Sequence, residues 1–363
     1  MKTHKKTAIL ITLLILVSVF ILQIFFRGGS FSSLFYELVF NKENIDLKRA
    51  DANVNLLLLG IGGGKHAGPN LTDTIIFASI DPDDRKLTLV SIPRDLWITD
   101  LDGRINTAYA KGEARKKGGG LTLSKAVVKK VLNQEIDYAV VINFSGFVRI
   151  VDLLGGINVQ VERSFDDYEY PIEGKEDDPC GQKEEDLEKL ATASSQLEVF
   201  PCRYEHIRFD EGPTLMDGET ALKYVRSRHA NGEEGTDFAR SKRQERIISA
   251  IREKALSLQI LINPGKVIGL YSAVQESIHT DINQGEFDDF VKLAQKLNNA
   301  NIQSGILDAG DRQKGRKGLL KIPEISREYN FEWALIPRIG KDNYSEIHKY
   351  VQCLLESGKC EVI

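Results

Sequence analysis

The sequence predicts an α/β sandwich held outside a membrane by one N-terminal span. Three observations lead there. Strand-like and helix-like segments interleave from Val54 onward, which favours helices layered on a sheet over a bundle or a barrel. The first strand-like segment, residues 54–59 (VNLLLL), is a continuous apolar run, the pattern of a strand buried on both faces. Ahead of both lie twenty residues without a charge, 7–26 (TAILITLLILVSVFILQIFF).

About 20 apolar residues in a helix span the roughly 30 Å hydrocarbon core of a bilayer. Lys2, Lys5 and Lys6 precede the run, and a basic flank stays cytoplasmic. The run is longer than the apolar part of a usual signal peptide, and no A-x-A-like site follows it, so an uncleaved anchor is expected. The expected organisation is a cytoplasmic tail at 1–6, a transmembrane helix at 7–26, a stalk at 27–52, a main extracytoplasmic domain at 53–260 and a C-terminal helical or αβ extension at 261–363 packed on the core. The protein is then a single-pass cell-membrane protein with the bilayer as one partner. Its 363 residues suffice for a sizeable core, and a net charge of −4 gives no bulk attraction for nucleic acid.

After the first strand comes a glycine-rich turn, GIGGGKHAGPN. It is not a Walker A loop, because His66 follows Lys65 where Ser or Thr belongs, and Lys65 stands where a dinucleotide fingerprint needs its third glycine. Strands at 73–80 and 86–92 flank the turn Asp81-Pro82-Asp83-Asp84. A helix is expected at 121–132, a strand at 138–143, a helix at 144–154 closed by Gly155-Gly156, and a strand at 157–161. Residues 164–206 are acidic and turn-rich and read as an insertion carrying a helix at 184–195. Helices follow at 216–225, with Asp217 as a possible cap, and at 237–258. Beyond 266 the pattern gives further helices, a short strand near 332–337 and a terminal helix at 343–355.

The four cysteines, Cys180, Cys202, Cys353 and Cys360, all follow the anchor. They fall into two sequence-local pairs, pointing to Cys180–Cys202 and Cys353–Cys360 among three possible connectivities. Zinc is the rival reading, disfavoured by the lack of any CxxC and by scattered histidines.

Three polar clusters stand at element ends: Asp73-Thr74, Ser91-Ile92-Pro93-Arg94-Asp95, and residues 224–229 (YVRSRH) followed by Asp237, Arg240, Arg243 and Gln244. The helix at 237–258 has an apolar stripe through Ile247, Ile248, Ile251, Ala255 and Leu258. Continued toward the N-terminus, that stripe turns polar at Gln244, Arg240 and Asp237. Unpartnered buried charge is costly, so these residues either pair with one another or face an anion at the helix start. Arg94, Arg226, Arg228 and Arg240 match the forked geometry of a pyrophosphate. An ion-pair network with Asp73, Asp95 and Asp237 accounts for them equally well.

At these residues the sequence resembles the LytR–CpsA–Psr family of wall-polymer ligases. Six blocks stand in the family's order: LTDTI at 71–75, LVSIPRDLWI at 89–98, GRINTAYAKG at 103–112, DLLGGINVQVE at 152–162, MDGETALKYVRSRH at 216–229 and DFARSKRQ at 237–244. The resemblance implies a three-layer α–β–α sandwich with a central mixed sheet and a hydrophobic groove for a lipid. It implies transfer of a phosphate-linked glycan from a polyprenyl-pyrophosphate carrier to peptidoglycan or another wall acceptor, usually with Mg2+. It assigns Asp73 to the pyrophosphate and its metal, and Arg94 to the same centre as the second catalytic residue. Arg104, Arg226, Arg228, Arg240 and Gln244 are implied as pyrophosphate contacts. Departures exist. Gly62 stands where the family commonly has a second acidic metal ligand, Leu71 replaces an arginine, and Arg104 replaces a lysine. Two other readings stay open: a non-catalytic wall- or lipid-binding protein of the same fold, which Gly62 favours, and a pyrophosphatase that uses water on the same carrier.

Overall fold

The apolar run at 54–59 lies inside a mixed six-stranded sheet. The computed structural model describes residues 45–49, 52–64, 68–183, 196–257, 260, 264–297, 300–311, 315–358, 360 and 362. The expected span at 7–26, most of the stalk and the expected helix at 184–195 lie outside those residues. Among the described residues, no helix is long and apolar enough to cross a membrane. Lys48–Ile282 and Leu297–Ile363 form one unit.

In this unit β1 (Val54–Ile61), β2 (Thr72–Asp81) and β3 (Lys86–Ser91) form an antiparallel meander. Asp81 closes the β2–β3 turn by accepting from the N–H groups of Asp83 and Asp84 at 3.0 and 2.9 Å, an aspartate turn. β4 (Tyr138–Asn143) runs parallel to β1 on its other side. Outside the sheet, β5 (Ile157–Val161) pairs with β8 (Gly212–Met216), and β6 (Phe165–Pro171) pairs with β7 (Tyr204–Phe209). The sheet's two edges are β9 (Ile278–Thr280) beside β4 and β10 (Asn301–Ile306) beside β3, giving the order β9-β4-β1-β2-β3-β10.

Both edge strands come from beyond residue 260, where the sequence pattern gives helices and one short strand. β9 has three residues, and β10 (NIQSGI) has polar residues in its interior. Neither carries a period-two apolar signal, so pairing with a long central strand decides their conformation. The expected strand at 332–337 contracts to Ile336–Pro337.

Helices lie on both faces. α1 (Thr107–Arg115), α2 (Gly119–Leu132) and the C-terminal helix Ser345–Ser357 share a buried cluster with Leu57, Leu59, Phe77, Val90 and Val141 of the sheet. α3 (Phe144–Leu153), α4 (Gly218–Arg226) and α5 (Asp237–Ala255) build the other layer, with α6 (Pro264–Ser277) packed on α3. Asp217 caps α4 by accepting from Thr220 N–H at 2.8 Å. Gly218 is obligatory there, because a Cβ would stand 2.3 Å from the Val148 carbonyl oxygen of α3. Both sequence-local disulfides form: Cys180–Cys202 staples the β6–β7 hairpin, and Cys353–Cys360 ties the end of the last helix.

A second unit contains Asn283–Lys296. Its helix Phe287–Lys296 follows a capping box made by Asn283 and Glu286, and Lys292 bridges Asp288 and Asp289 at 3.2 and 3.1 Å.

Candidate functional site

The alternation of burial along the central strands marks the site. In β1, Leu57 and Leu59 are buried while Leu58 and Gly60 are half exposed; in β4, Ala139 and Val141 are buried while Val140 and Ile142 are half exposed. Successive side chains point to opposite faces. The half-exposed set therefore looks into a cavity of about 520 Å³ between the sheet and α3, α4 and α5. Ile76, Val140 and Ile142 line it from the sheet, and Phe144, Phe147, Val225, Ile248 and Ile251 from the helices. This amends the reading of residues 54–59 as doubly buried: one face packs a core and the other lines a pocket.

One end of this apolar cavity is charged. Asp73, Arg94, Arg226, Arg228, Arg240 and Gln244, six of the seven residues singled out from sequence, all line it. Asp73 heads β2 and forms an ion pair with Arg94, which follows β3. Arg240 and Gln244 continue the stripe of Ile247, Ile248 and Ile251 on α5, so the stripe turns polar where the cavity does. Gln244 Nε2 donates to Thr74 Oγ1 at 3.1 Å. The side chain of Asp237 and all of Leu258 lie outside the described residues. Arg226 ends α4, with its guanidinium 4.1 Å from the Phe144 ring and donating to Tyr170 Oη at 3.2 Å. Burial pushes the Tyr170 phenol up to about 12, so it meets Arg226 as a neutral acceptor. Arg104 does not line the cavity. It donates to Asp95 at 3.2 Å and pairs with Glu332 at 3.0 Å.

Two residues hold the arginines in place: Asp167, which the sequence did not single out, and Arg243 of the third polar cluster. Asp167, fully buried on β6, accepts from Ser227 Oγ at 2.7 Å and from the N–H groups of Arg228 and His229 at 3.1 and 3.2 Å. Arg243, also fully buried, donates to the carbonyls of Tyr224 and Ser227 at 2.9 and 2.7 Å, and pairs with Glu234 at 2.8 Å. Burial lowers the Arg243 pKa, and Glu234 opposes that shift. The turn carrying Arg226 and Arg228 is thus gripped from both sides. β6 belongs to the segment 164–206 that the sequence presents as an insertion. Its base is structural, since Asp167 of that base holds the arginine turn.

The donor set bears on a metal. Asp95 is committed to Arg104, and Gly62 offers no side chain. Among the described residues, the one cluster of three potential ligand atoms is Asp178, Cys180 and Cys202, and both sulfurs are in the disulfide. Asp73, about a third exposed, offers a single carboxylate at the charged end. Mg2+ is commonly held by one or two carboxylates together with substrate phosphates. Asp73 therefore fits a metal shared with phosphate oxygens and does not form a cage by itself.

Comparison with known proteins agrees with this architecture. A model of the LytR_cpsA_psr family matches residues 36–319. The Enterococcus faecalis protein named polyisoprenyl-teichoic acid–peptidoglycan teichoic acid transferase TagU is 30% identical over 264 residues, 68% of each chain. Biofilm regulatory protein A of Streptococcus mutans is 26% identical over 302 residues, 78% of this chain and 64% of that one. Among solved structures, Bacillus subtilis TagV superposes with a TM-score of 0.53 at 23% identity, covering 84% of this chain and 97% of that one. TagT bound to LI-WTA superposes at 0.52 with 18% identity, covering 86% and 94%. These structures share the mixed α/β fold.

Proposed function

The chain belongs to the LytR–CpsA–Psr family, and on that premise we propose that it transfers a phosphate-linked glycan from a polyprenyl-pyrophosphate carrier to a sugar hydroxyl of peptidoglycan or a related wall acceptor. One observation carries the reading: an apolar cavity of about 520 Å³ whose charged lining gathers Asp73 and four arginines, with Glu169, Glu176 and His229 of the neighbouring hairpin and turn. The cavity matches a polyprenyl chain, and its charged end matches the pyrophosphate. Relatives named as teichoic acid–peptidoglycan transferases support the choice of donor and acceptor.

Phosphoryl transfer needs positioning and neutralised charge more than covalent help from the protein. Arg94, Arg226, Arg228 and Arg240 bind and orient the pyrophosphate. Asp73 is held by Arg94 at the reacting end and accepts the acceptor's proton. Asp73 would hold Mg2+ together with phosphate oxygens, and the bound ion would further neutralise the charge on the phosphates. The carrier's pyrophosphate bond supplies the driving force, so no ATP is needed. The uncharged run at 7–26 and its basic flank support a location at the outer membrane face, with the N-terminus in the cytoplasm. A protease-accessibility assay on intact cells tests that orientation: the domain is cut from outside, and protection of the domain would reverse it.

Arg94→Ala and Arg228→Ala are expected to lower transfer at least about 100-fold, near 3 kcal/mol of transition-state stabilisation, with the melting temperature kept. Wild-type rates in both variants would remove the site assignment. Full activity in excess chelator would remove the Mg2+ role. Turnover that does not depend on acceptor would point to the pyrophosphatase instead.

A further inference from the structure

The charged end of the cavity borders a second space. A notch of about 20 Å³ is lined by the same Asp73, Thr74, Arg94, Arg240 and Gln244. Its other walls are Ser91 at the end of β3, Pro93 just after it, Ser241 on α5, and Ile306 and Leu307 at the end of β10. Along the sheet, the large cavity lies against β4, β1 and β2, whereas the notch lies against β2, β3 and β10. The shared residues form the wall between them. A space of that size admits about one water-sized group and no sugar ring.

An exposed aromatic ring stands one turn from the notch wall on α5. Phe238, 40% exposed, precedes Ser241 by three residues on α5 and so shares its helix face. The Arg316 guanidinium sits 4.9 Å from the Phe238 ring. Asp308, which follows Leu307 of the notch wall, fixes that guanidinium with two bonds at 3.0 and 2.6 Å. An aromatic face covers the apolar face of a sugar, and a fixed guanidinium donates to sugar oxygens.

We propose that the notch admits the acceptor hydroxyl and that Phe238 and Arg316 form the platform on which the acceptor's sugar ring rests. This rests on the transferase reading above and adds where the acceptor binds. Attacking and leaving oxygens stand roughly in line in phosphoryl transfer. The leaving polyprenyl phosphate lies toward the large cavity, so attack comes from the notch. The acceptor oxygen bonds to the glycan-side phosphorus. The bond from that phosphorus to the bridging oxygen breaks, and its electron pair leaves with polyprenyl phosphate. The hydroxyl proton passes to Asp73, which lines both spaces. The ring stays outside because only its hydroxyl fits, and a seated ring keeps water from the notch.

The test uses the full chain in detergent, a short-chain polyprenyl-pyrophosphate-linked sugar as donor, and soluble peptidoglycan glycan fragments as acceptor. Donor Kd, acceptor KM and donor hydrolysis are measured separately. Phe238→Ala and Arg316→Ala are expected to raise acceptor KM about tenfold each, the size of a lost ring or cation contact, at unchanged donor Kd. Ser241→Phe fills the notch and is expected to suppress both transfer and hydrolysis while the donor still binds. Acceptor KM within twofold of wild type in both platform variants would overturn the proposal, as would wild-type transfer by Ser241→Phe. Phe238 and Arg316 are surface residues, so their arms stand even where Ser241→Phe folds poorly. A wild-type chain that binds donor and never transfers it would instead overturn the transferase reading, and the acceptor platform with it.

Discussion

On one face of the sheet Leu57, Leu59, Phe77 and Val141 are buried against α1, α2 and the C-terminal helix; on the other, Leu58, Gly60, Val140 and Ile142 stand half exposed around about 520 Å³. These residues alternate along the same strands. The difference is in what meets them. The first face receives helices that fill the space, and the second receives helices held off the sheet, with arginines at one end of the gap. A packed core rewards every apolar contact with stability. A cavity forgoes those contacts, so apolar residues around it are better explained by a ligand than by folding.

Adjacent truncations test that contrast most strongly. Leu57→Ala is expected to cost about 3 kcal/mol of unfolding free energy, as buried leucines do, and to leave donor affinity unchanged below the melt. Leu58→Ala, already beside empty space, is expected to cost under about 1 kcal/mol and to weaken binding of the lipid donor several-fold. Denaturant melts and donor titrations read the two effects separately. Equal stability losses in both variants would erase the distinction between the faces.

The grip on the arginine turn is the next test. Asp167→Ala leaves three donors without their acceptor, the buried Ser227 hydroxyl and two half-buried N–H groups, and is expected to cost about 2 kcal/mol. Because the turn carries Arg226 and Arg228, donor affinity is expected to fall by about tenfold, although Asp167 contributes only positioning. Asp167→Asn keeps one acceptor oxygen and is expected to recover part of both. If Asp167→Ala lost stability while donor Kd stayed at the wild-type value, the hairpin would support the fold without organising the site.

Much of this was legible before the structure. The central strands, α3, α4 and most of α5 follow from apolar period and turn chemistry, and six of seven singled-out site residues line one cavity. The polar continuation of the α5 stripe through Gln244 and Arg240 was the most informative pattern, since it required partners or a ligand. Residues 54–59 hid the cavity, because a lipid pocket and a core select the same side chains. Asp167 was hidden for another reason. It sits among Asp166, Tyr168 and Glu169 in an acidic stretch, and only the pairing of β6 with β7 turns it inward. Phe165 and Asp167 alternate with Asp166 and Tyr168, which puts the carboxylate on the core face, but a register shift between Asp167 and Tyr170 breaks the pattern after two buried positions. The edge strands β9 and β10 were illegible because their conformation is imposed by their neighbours.

The smallest effect concerns the start of α4, which places Arg226 one helix length away. Asp217 accepts from Thr220 N–H, and Asp152 of α3 accepts from Gly218 N–H at 2.8 Å, so two carboxylates fix the first turn. Hydrogen bonds from Thr220 hold the Asp217 carboxyl below its ordinary value of 3.8. A depressed carboxylate stabilises the fold above its unfolded value, and that contribution fades as pH falls through the lower folded value. Asp217→Ala is expected to cost about 1 kcal/mol at pH 7, the usual value of a lost cap, and less at pH 3. Asp217→Asn keeps a capping oxygen without the charge, so its melting temperature is expected near wild type at pH 7 and relatively higher at pH 3. Transfer rates in both are expected within about threefold of wild type, since Asp167 and Arg243 hold the turn beyond the helix independently. A loss of transfer as large as that of Arg228→Ala would mean that the charged end is set by α4 as a whole, and that the grip from β6 and α5 is secondary.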